Sequence, residues 1–394
     1  MIGVSAVAFA GNVCAKADEL VPKWNEAFVA ELAELGAEPA AAARALAMFH
    51  FAMWNAMARA QQVGLGDAEQ RVAAAAAAEG VAKYFFPKSE MGMALDSDWQ
   101  ETQAGQIGAQ CALELIASRR DDGSAMTLPS PSSEVLGKWR HTPPDYLPPE
   151  LPQWGDVRPF TLRSVDPFLP PEPPELVSQQ YADGLNEVKA LGEKVSAARS
   201  REQTAIAIFW SDLKFTETPV GHWNSITRGL ARDRELSFPD NVRLFATLNL
   251  AMADAGIVIW RAKYRYRLWR PIDAVRGAWD DGNSATEGDG EWTPLLPAPP
   301  HPEYPSGHAG FSGAAAEVLA LFFGGDATTF TVTSPQVPGM ERTYPSLWAA
   351  ALEIAMSRVY CGIHYQFSGL AGLTSGRKVG ETVWQACGEP RASE

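Results

Sequence analysis

The sequence has few cysteines, few histidines and fewer basic than acidic residues. Its 394 residues include six histidines and 33 lysines and arginines against 47 aspartates and glutamates, a formal net charge of −14. A surface of this sign repels polyanions, so neither nucleic acid nor an anionic membrane is expected as a partner. The four cysteines lack CxxC or CxH spacing, which argues against a zinc site and predicts free thiols at Cys14, Cys111, Cys361 and Cys387.

Long apolar runs are also missing. No stretch approaches the roughly 20 consecutive apolar residues of a membrane-spanning helix, so a soluble protein is expected. The opening MIGVSAVAFAGNVCAKA is apolar but has no basic region before its apolar core, which argues against a signal peptide. The compartment stays open, cytoplasmic or exported with a signal removed, and so does the formation of a homo-oligomer.

Helical periodicity is what the chain has in abundance. Apolar residues recur at three- and four-residue spacing in the alanine-rich first third and again in the second half, which places them on one face of a helix. Only residues 327–334 have the threonine and β-branched composition of a strand. An all-α fold is therefore expected. The predicted helices cover residues 24–35, 40–60, 68–86, 98–119, 175–195, 201–212, 221–232, 240–268, 309–323, 346–360 and 369–386.

A proline-rich segment separates the helical regions. Residues 121–175 include PSPSSE, TPPDYLPPELP and LPPEPPEL, and a segment with this much proline cannot be helical throughout. We expect a single unit over 1–394, built of two packed helical bundles: an N-terminal helical half over 1–120, the connection over 121–175, and a C-terminal half over 176–394 that carries the site. So long a connection without helices is unusual in a compact domain, so it either has a function or wraps one half onto the other.

A basic cluster stands out in this acidic chain. The segment RAKYRYRLWRP, residues 261–271, holds five basic side chains. Lys263, Arg267 and Arg270 fall at i, i+4 and i+7, with Trp260 three residues before the lysine. On a continuous helix they would share one face and could clamp an anion. A solvated basic stripe is the alternative for this segment taken alone.

The segment HPEYPSGHAGFSGAAAEV has the features of a helix N-terminus that binds an anion. Ser306 stands at the N-cap position, Gly307 allows close approach to the backbone, and His308 opens an alanine-rich helix. Backbone N–H groups and the positive end of the helix dipole would face one point there. An ordinary cap with an incidental histidine is the alternative.

The segment SRVYCGIHYQFS adds an arginine and a histidine. A helix that ends near Gly362 would let His364 turn back toward Arg358. Three of the six histidines, His301, His308 and His364, lie in this segment and the previous one. That concentration favours a functional site over isolated core histidines.

In chain order the three segments read KxxxxxxRP (263–271), PSGH (305–308) and SRxxxxxH (357–364). This three-part signature resembles that of the superfamily of vanadium-dependent haloperoxidases and type 2 phosphatidic acid phosphatases. Further stretches, among them VPKWNEAFVAEL, FWSD, TPVGHWNSI and AGLTSGRKVG, are similar to the bacterial haloperoxidase branch. The resemblance covers most of the chain and implies the all-α haloperoxidase fold.

The resemblance implies bound vanadate, or phosphate in its absence. Lys263, Arg270 and Arg358 would neutralise the oxygens of the anion, and the Ser306 hydroxyl and the Gly307 amide would donate hydrogen bonds to it. A highly charged oxyanion needs cations and fixed donors in a closed pocket, and these residue types supply both.

The resemblance also implies the catalytic roles. His364 would bond to vanadium, or attack phosphorus in a phosphatase, and His308 would be the acid–base group on the opposite apical side. Lys263 would polarise the peroxide. Family members often have Asp four residues after the ligand histidine to accept its second ring proton, but this chain has Ser368, so a backbone carbonyl is the expected substitute.

Two side chains bear on the halide. Trp260 matches the chloroperoxidase-like choice at its position, whereas His301, seven residues before His308, matches bromoperoxidases. A polar His301 beside His308 would change the pKa of His308 and the apolar halide wall together, so bromide and iodide are expected over chloride. The alternative places His301 at the rim, on a proline-rich loop.

The expected activity is therefore the oxidation of halide by hydrogen peroxide to hypohalous acid, with vanadium as a Lewis acid and a small organic acceptor as the final partner. The alternative is a soluble acid phosphatase that uses the same pocket, since five-coordinate vanadate imitates the transition state of phosphoryl transfer. Bulky Trp260 and the proline-rich segments indicate a narrow entrance, which suits halide and peroxide better than a phosphomonoester. A non-catalytic oxyanion binder would not need His308 opposite His364.

Overall fold

The computed structural model describes residues 18–89 and 99–387. Residues 1–17, considered above as a signal, lie outside the described residues, and Cys14 with them. The described ranges hold twelve α-helices and two short strands, which confirms the all-α fold. The helices are α1 (Leu20–Glu34), α2 (Pro39–Gln62), α3 (Asp67–Phe85), α4 (Gln103–Arg119), α5 (Gln179–Gly192), α6 (Arg201–Phe209), α7 (Thr218–Asp233), α8 (Phe238–Tyr266), α9 (Pro271–Gly277), α10 (Gly307–Phe323), α11 (Leu347–Tyr360) and α12 (Gln366–Cys387).

The end of α8 differs from the prediction of a helix to residue 268. The helix stops at Tyr266, and Arg267 adopts a left-handed conformation with φ of 53°. Lys263 and Arg270 therefore do not share a helix face, and that expectation is wrong. Pro271 instead opens the short helix α9, which the sequence analysis missed, because proline is well suited to the first turn of a helix.

The sequence analysis predicted one of the two strands. Strand β1 (Phe330–Thr333) lies within residues 327–334 and pairs antiparallel with β2 (Glu341–Tyr344). The second strand was not predicted, since its sequence ERTY contains charged residues that are uncommon in strands.

Helix α8 lies at the centre and packs against α2, α10 and α12. Its length and mean hydropathy of 1.6 would let it cross a membrane, contrary to the expectation that no stretch comes near this limit. Yet 94% of that apolar window is buried inside the protein. The largest apolar cluster runs from the first four helices through α8 to α12, so the two predicted helical halves share a core. The boundaries at 120 and 175 stay a prediction.

The proline-rich connection, here called the strap (residues 121–175), is held against α8. Buried Asp254 of α8 accepts hydrogen bonds from the three backbone N–H groups of residues 160–162 at 2.6, 2.8 and 3.1 Å. Just past the C-terminal end of the helix, the Trp139 N–H donates to the Arg267 carbonyl at 2.7 Å. The strap, which the structure describes completely, contains no α-helix but is fixed along the central helix at both places.

Glycines bring α12 close to the start of α10. A Cβ atom on Gly376 would lie 2.1 Å from the Gly310 carbonyl oxygen, and one on Gly372 would lie 2.6 Å from the Ser306 carbonyl oxygen. Neither contact is possible with a larger residue, so glycine permits the two backbones to touch. The Ser306 N–H also donates to the Ser368 carbonyl at 3.0 Å. The N-terminus of α10 is thereby fixed in position.

The cysteines agree with the prediction as far as they are described. Cys111, Cys361 and Cys387 are free thiols, and the first two are buried.

Candidate functional site

One cavity of about 280 Å³ brings together most of the residues predicted from the sequence. Six of the nine predicted site residues line this cavity. The other three are fully buried: Lys263, Arg270 and Ser306. Leu147 and Glu150 of the strap belong to the cavity wall, so the strap helps to form the site. The lining residues among the nine are Trp260, His301, Gly307, His308, Arg358 and His364.

Arg270 is fixed between the loop before α10 and the loop after α11. Its Nε donates to the His301 carbonyl and its Nη1 to the Ile363 carbonyl, both at 2.8 Å. Nη1 also lies 3.3 Å from His364 Nε2, and Nη2 lies 2.9 Å from His301 Nδ1. Burial lowers the pKa of Arg270 to about 10, so the guanidinium stays charged at neutral pH. It reaches the site from the loop after α8, not from the helix.

Lys263, near the end of α8, is the second buried cation. Its Nζ donates to the carbonyls of Pro302 and Glu303 at 2.9 and 3.0 Å. Burial and then the charge of Arg270 lower the pKa of Lys263. An ammonium group has three N–H donors, so one remains after these two carbonyls are satisfied.

Arg358, in the last turn of α11, is the third cation. It is 3% exposed, and its Nη1 donates to the Trp210 carbonyl at 2.8 Å. Helix α11 ends at Tyr360, and Gly362 has the left-handed φ of 79° that favours glycine. The chain then turns back, and the His364 N–H donates to the Arg358 carbonyl at 3.3 Å. The predicted turn at Gly362 is confirmed.

Several buried polar atoms of these residues lack a hydrogen-bond partner among the described residues: Ser306 Oγ, His308 Nε2 and Arg358 Nε. Ser306 is the N-cap of α10, yet its side chain makes no capping bond. A buried polar group without a partner costs about 1–3 kcal/mol, which a ligand can offset. The Ser306 hydroxyl at the N-terminus of α10 and the Arg358 guanidinium N–H are both donors, so an oxyanion fits them.

His364 is paired with a carboxylate that the sequence analysis did not identify. Its Nδ1 lies 2.7 Å from Glu303 Oε1, and the Ser368 hydroxyl donates to Glu303 Oε2 at 2.7 Å. The Tyr365 N–H donates to Glu303 Oε1 at 3.1 Å. The expectation of a backbone carbonyl is therefore wrong. Glu303 supplies the carboxylate from the loop before α10, and Ser368 helps to hold it.

These contacts fix the tautomer of His364. Arg270 can only donate, so His364 Nε2 must accept, and the ring proton lies on Nδ1 toward Glu303. Burial, followed by the charges of Arg270 and Lys263, lowers the pKa of His364. A neutral imidazole with its lone pair on Nε2 is the form that binds a metal.

Glu303 titrates in an unusual range for a carboxyl group. Burial raises its pKa to about 7, while the Ser368 hydrogen bond and the charges of Arg270 and Lys263 act in the opposite direction. The carboxylate form, which best orients His364, therefore gains population as the pH rises through about 7.

His301 is buried, not at the rim. It is 6% exposed, and its ring lies 5.2 Å from that of Trp260. Burial, followed by Lys263 and Arg270, lowers the pKa of His301, and His308 contributes less than either cation. His308 is thus a minor electrostatic neighbour of His301, whose Nδ1 lies next to the Arg270 guanidinium.

His308 has a looser carboxylate neighbour. Its Nε2 lies 3.7 Å from Asp212 Oδ2, and its side chain is 14% exposed. Burial and then the charge of Arg358 lower the pKa of His308. A backbone hydrogen bond with Ser211 acts in the opposite direction, while Nε2 has no partner among the described residues. An unpaired nitrogen of a neutral imidazole can take up and release a proton.

Sequence reasoning thus missed two carboxylates. Glu303 stands inside HPEYPSGH, and Asp212 inside FWSD, and both stretches were noted without a role for these residues. Glu303 and His364 are 61 residues apart, so no local spacing connects them.

Comparisons with known proteins find similar sequences and similar folds. Residues 243–391 match a family model described as the VCPO second helical-bundle domain. The chain is 29% identical over 265 residues to the vanadium chloroperoxidase of Curvularia inaequalis, a match that covers 51% of this chain and 43% of that protein. It is 34% identical over 119 residues to the vanadium-dependent bromoperoxidase of Ascophyllum nodosum, covering 26% and 21%. The chain thus spans less than half the length of these curated relatives.

Solved structures extend the likeness to nearly the whole chain. A crystal structure of a bacterial vanadium-dependent iodoperoxidase superimposes with a TM-score of 0.79 at 29% identity, covering 94% of this chain and 96% of that one. A holo-type bacterial vanadium-dependent chloroperoxidase superimposes with a TM-score of 0.75 at 17% identity, covering 95% and 98%, and shares the fold. The sequence signature, the family model and the superimposed structures lead to one conclusion: the chain resembles the vanadium-dependent haloperoxidases in its site motifs and in its fold.

Proposed function

We propose that this protein oxidises halide with hydrogen peroxide to hypohalous acid, using vanadate as its cofactor. The observation that carries the proposal is the meeting of three buried cations with the Nε2 lone pair of His364, which faces Arg270, at one cavity. Lys263, Arg270 and Arg358 concentrate positive charge at the cavity, and a bound anion would offset the mutual repulsion of these groups. Vanadate is a compact anion whose oxygens can accept from all of them.

The donors that lack partners indicate where the anion would lie. The Ser306 hydroxyl and Arg358 Nε would each donate to a vanadate oxygen, and the Gly307 amide at the start of α10 would add a third donor. His364 Nε2 would be the protein ligand to vanadium, with Glu303 keeping the proton on Nδ1. Each of these contacts would provide a partner for a buried donor that otherwise lacks one, or for the imidazole that is held neutral.

Bound vanadium would supply a Lewis acid that activates hydrogen peroxide. The residues of the chain would then control charge and protons. The third N–H of Lys263 would stabilise negative charge on the oxygens. Halide oxidation to hypohalous acid consumes one proton for each hydrogen peroxide, with water as the other product. His308 is the group placed to deliver that proton, because its Nε2 is unpaired and its side chain keeps contact with solvent.

We also propose that bromide and iodide are preferred to chloride. His301 places a polar ring against Trp260 in the cavity wall, where a chloride-oxidising site would gain from a fully apolar surface. The bacterial relative at 29% identity is an iodoperoxidase, which supports this preference. The hypohalous acid would then react with a small organic acceptor.

The test is reconstitution of vanadate-free protein. Bromination of a dye in the presence of bromide and hydrogen peroxide is measured before and after vanadate is added, beside hydrolysis of p-nitrophenyl phosphate. We expect bromination to appear only with vanadate. Lys263→Ala should abolish it, whereas Arg261→Ala, on the same helix but at the surface, should not. Phosphate hydrolysis without any vanadate-dependent bromination would refute the proposal in favour of a phosphatase.

A further inference from the structure

His222 lies outside the proposed oxyanion site but contacts the carboxylate beside His308. Its Nδ1 is 2.9 Å from Asp212 Oδ1, and its Nε2 is 3.0 Å from the Thr333 carbonyl oxygen. The side chains of His222 and Asp212 are 1% and 2% exposed. Both neighbours of the ring are acceptors, and only the doubly protonated imidazolium can donate to both. The geometry therefore indicates a buried ion pair.

Asp212 extends this pair to the acid–base histidine. Its other oxygen, Oδ2, is the atom that lies 3.7 Å from His308 Nε2. Asp212 has a left-handed φ of 45°, a conformation that aspartate adopts more readily than most residues. It follows directly on Trp210 and Ser211, whose carbonyls face Arg358 at 2.8 and 3.5 Å. The segment 210–212 thus contacts Arg358 through its carbonyls and approaches His308 through the Asp212 side chain, and both of these residues line the cavity.

We propose that His222 is a positioning residue whose charge neutralises Asp212 and whose hydrogen bond aims Asp212 at His308. The inference rests on the proposed function of His308. A lone carboxylate 3.7 Å from an imidazole would favour the imidazolium and keep the ring charged. With His222 opposite, the field of Asp212 at His308 is largely cancelled. His308 then stays neutral at rest, able to take up and pass on the proton consumed in each turnover.

The groups around His222 agree with this role. Burial opposes its charge, but Asp212, by charge and by hydrogen bond, and Glu217 raise the pKa of His222 above its ordinary value. Burial raises the pKa of Glu217 itself, and Arg228 and Glu26 face Glu217 with opposite signs. The rings of Phe209 and Trp210 pack against the imidazole, with centroids 6.0 and 4.5 Å away. Asp212 is thus the main partner of the positive charge on His222.

The charged groups that face His308 come from three elements. Arg358 of α11 and Lys263 of α8 both lower the pKa of His308, and so does His222 of α7. Loss of the positive charge on His222 should therefore raise the pKa of His308, since His222 would then no longer oppose the negative charge of Asp212.

The first experiment compares His222→Asn with His222→Phe in vanadate-free protein. The asparagine amide can still donate to Asp212 but carries no charge, whereas phenylalanine removes both functions. We expect the NMR titration of His308 to move up by about one pH unit in both variants. In vanadate-loaded protein the pH optimum for bromination should move in the same direction. Turnover at the optimum should fall only severalfold in His222→Asn and at least tenfold in His222→Phe.

The control is His50→Asn. His50 is another fully buried histidine, and it contacts Asn25 in the N-terminal helices, so its replacement should leave the titration of His308 unchanged. If His222→Asn is folded and His308 titrates as in the wild type, the inference is wrong. If neither His222 variant folds, Asp212→Asn provides the test. The pKa of His222 should then fall by more than one unit, and an unchanged pKa would refute the ion pair.

These titrations need no vanadate, so they separate this inference from the proposed activity. The proposed activity fails if the wild type shows no bromination.

Discussion

His364 and His308 both line the cavity and both have a carboxylate as neighbour, but the two arrangements differ. Glu303 lies 2.7 Å from His364 and is held by Ser368 and by a backbone N–H, whereas Asp212 lies 3.7 Å from His308. The first pair fixes a tautomer and points a lone pair at the ligand site. The second leaves the ring nitrogen unpaired. Under the proposed function, one side of the cavity holds the anion and the other exchanges protons.

Removing each histidine separates the two roles, with the largest expected effects. His364→Ala should lose bound vanadate and all bromination, because it removes the proposed protein–metal bond and leaves only the cations. His308→Ala should keep vanadate and lose about 10²–10⁴-fold in turnover, the range of general acid–base catalysis. Vanadium content after gel filtration, together with initial rates, distinguishes the two. Tightly bound vanadium in His364→Ala would contradict the assignment.

Weakening the contact between Glu303 and His364 should have the next largest effect. Glu303→Gln keeps an acceptor for His364 Nδ1 but removes the negative charge, so vanadate affinity should fall by about 10–100-fold. Ser368→Ala removes one of the donors to Glu303 and should cost less. Affinity is measured by titrating vanadate into vanadate-free protein and following activity. Equal affinity in Glu303→Gln and wild type would show that the carboxylate has no influence on the ligand histidine.

The pH dependence of the free energy of unfolding should report on the carboxyl group of Glu303. Its folded-state pKa of about 7 lies above the ordinary value of 4.5. The folded protein therefore binds this proton more tightly than the unfolded chain, and the contribution to the free energy of unfolding is fully present below pH 4.5 and lost as the pH rises through about 7. The loss should be roughly 3 kcal/mol at most.

Urea unfolding of vanadate-free protein at pH 5 and pH 8 measures this loss, and Glu303→Gln serves as the reference because it cannot titrate. Other buried carboxyls titrate in both proteins and cancel. An identical pH dependence in the two would place the pKa of Glu303 in its ordinary range.

The smallest effect is expected at the halide wall. His301→Phe replaces a polar ring beside Trp260 with an apolar one, so the ratio of chloride to bromide oxidation should rise by about tenfold or less. The pH optimum should change little, because Lys263 and Arg270 influence His301 more than His308 does. The ratio of initial rates from pH 4 to 8 is the measurement. A large shift in the optimum with no change in the ratio would mean that His301 acts on protons and not on halide.

Much of the fold could be predicted from the sequence because helical periodicity is local. The spacing of apolar residues predicted α10, α11 and α12 closely. The same reasoning extended α8 too far: it followed the i, i+4, i+7 pattern through Arg267, where the backbone turns left-handed ahead of Pro271. A basic residue gives no local sign of such a break, so Arg270 was placed on the wrong element.

The carboxylates of the site show where local reasoning ends. Ser368 was noted as an unexpected residue, but the carboxylate that replaces the missing aspartate comes from Glu303 in a distant loop. Asp212 and His222 are ten residues apart and separated by a turn, and their pairing depends on the packing of α7 against β1. Contacts of this kind are set by tertiary structure.

The most direct test of the two-sided site is a crystal structure of the protein soaked with vanadate, with vanadium located by its anomalous signal. We predict one vanadium in the cavity, bonded to His364 Nε2, with its oxygens hydrogen-bonded to Ser306 Oγ and Arg358 Nε and with His308 on the opposite side. Vanadium bonded to His308, or no vanadium in this cavity while the protein brominates, would contradict the account.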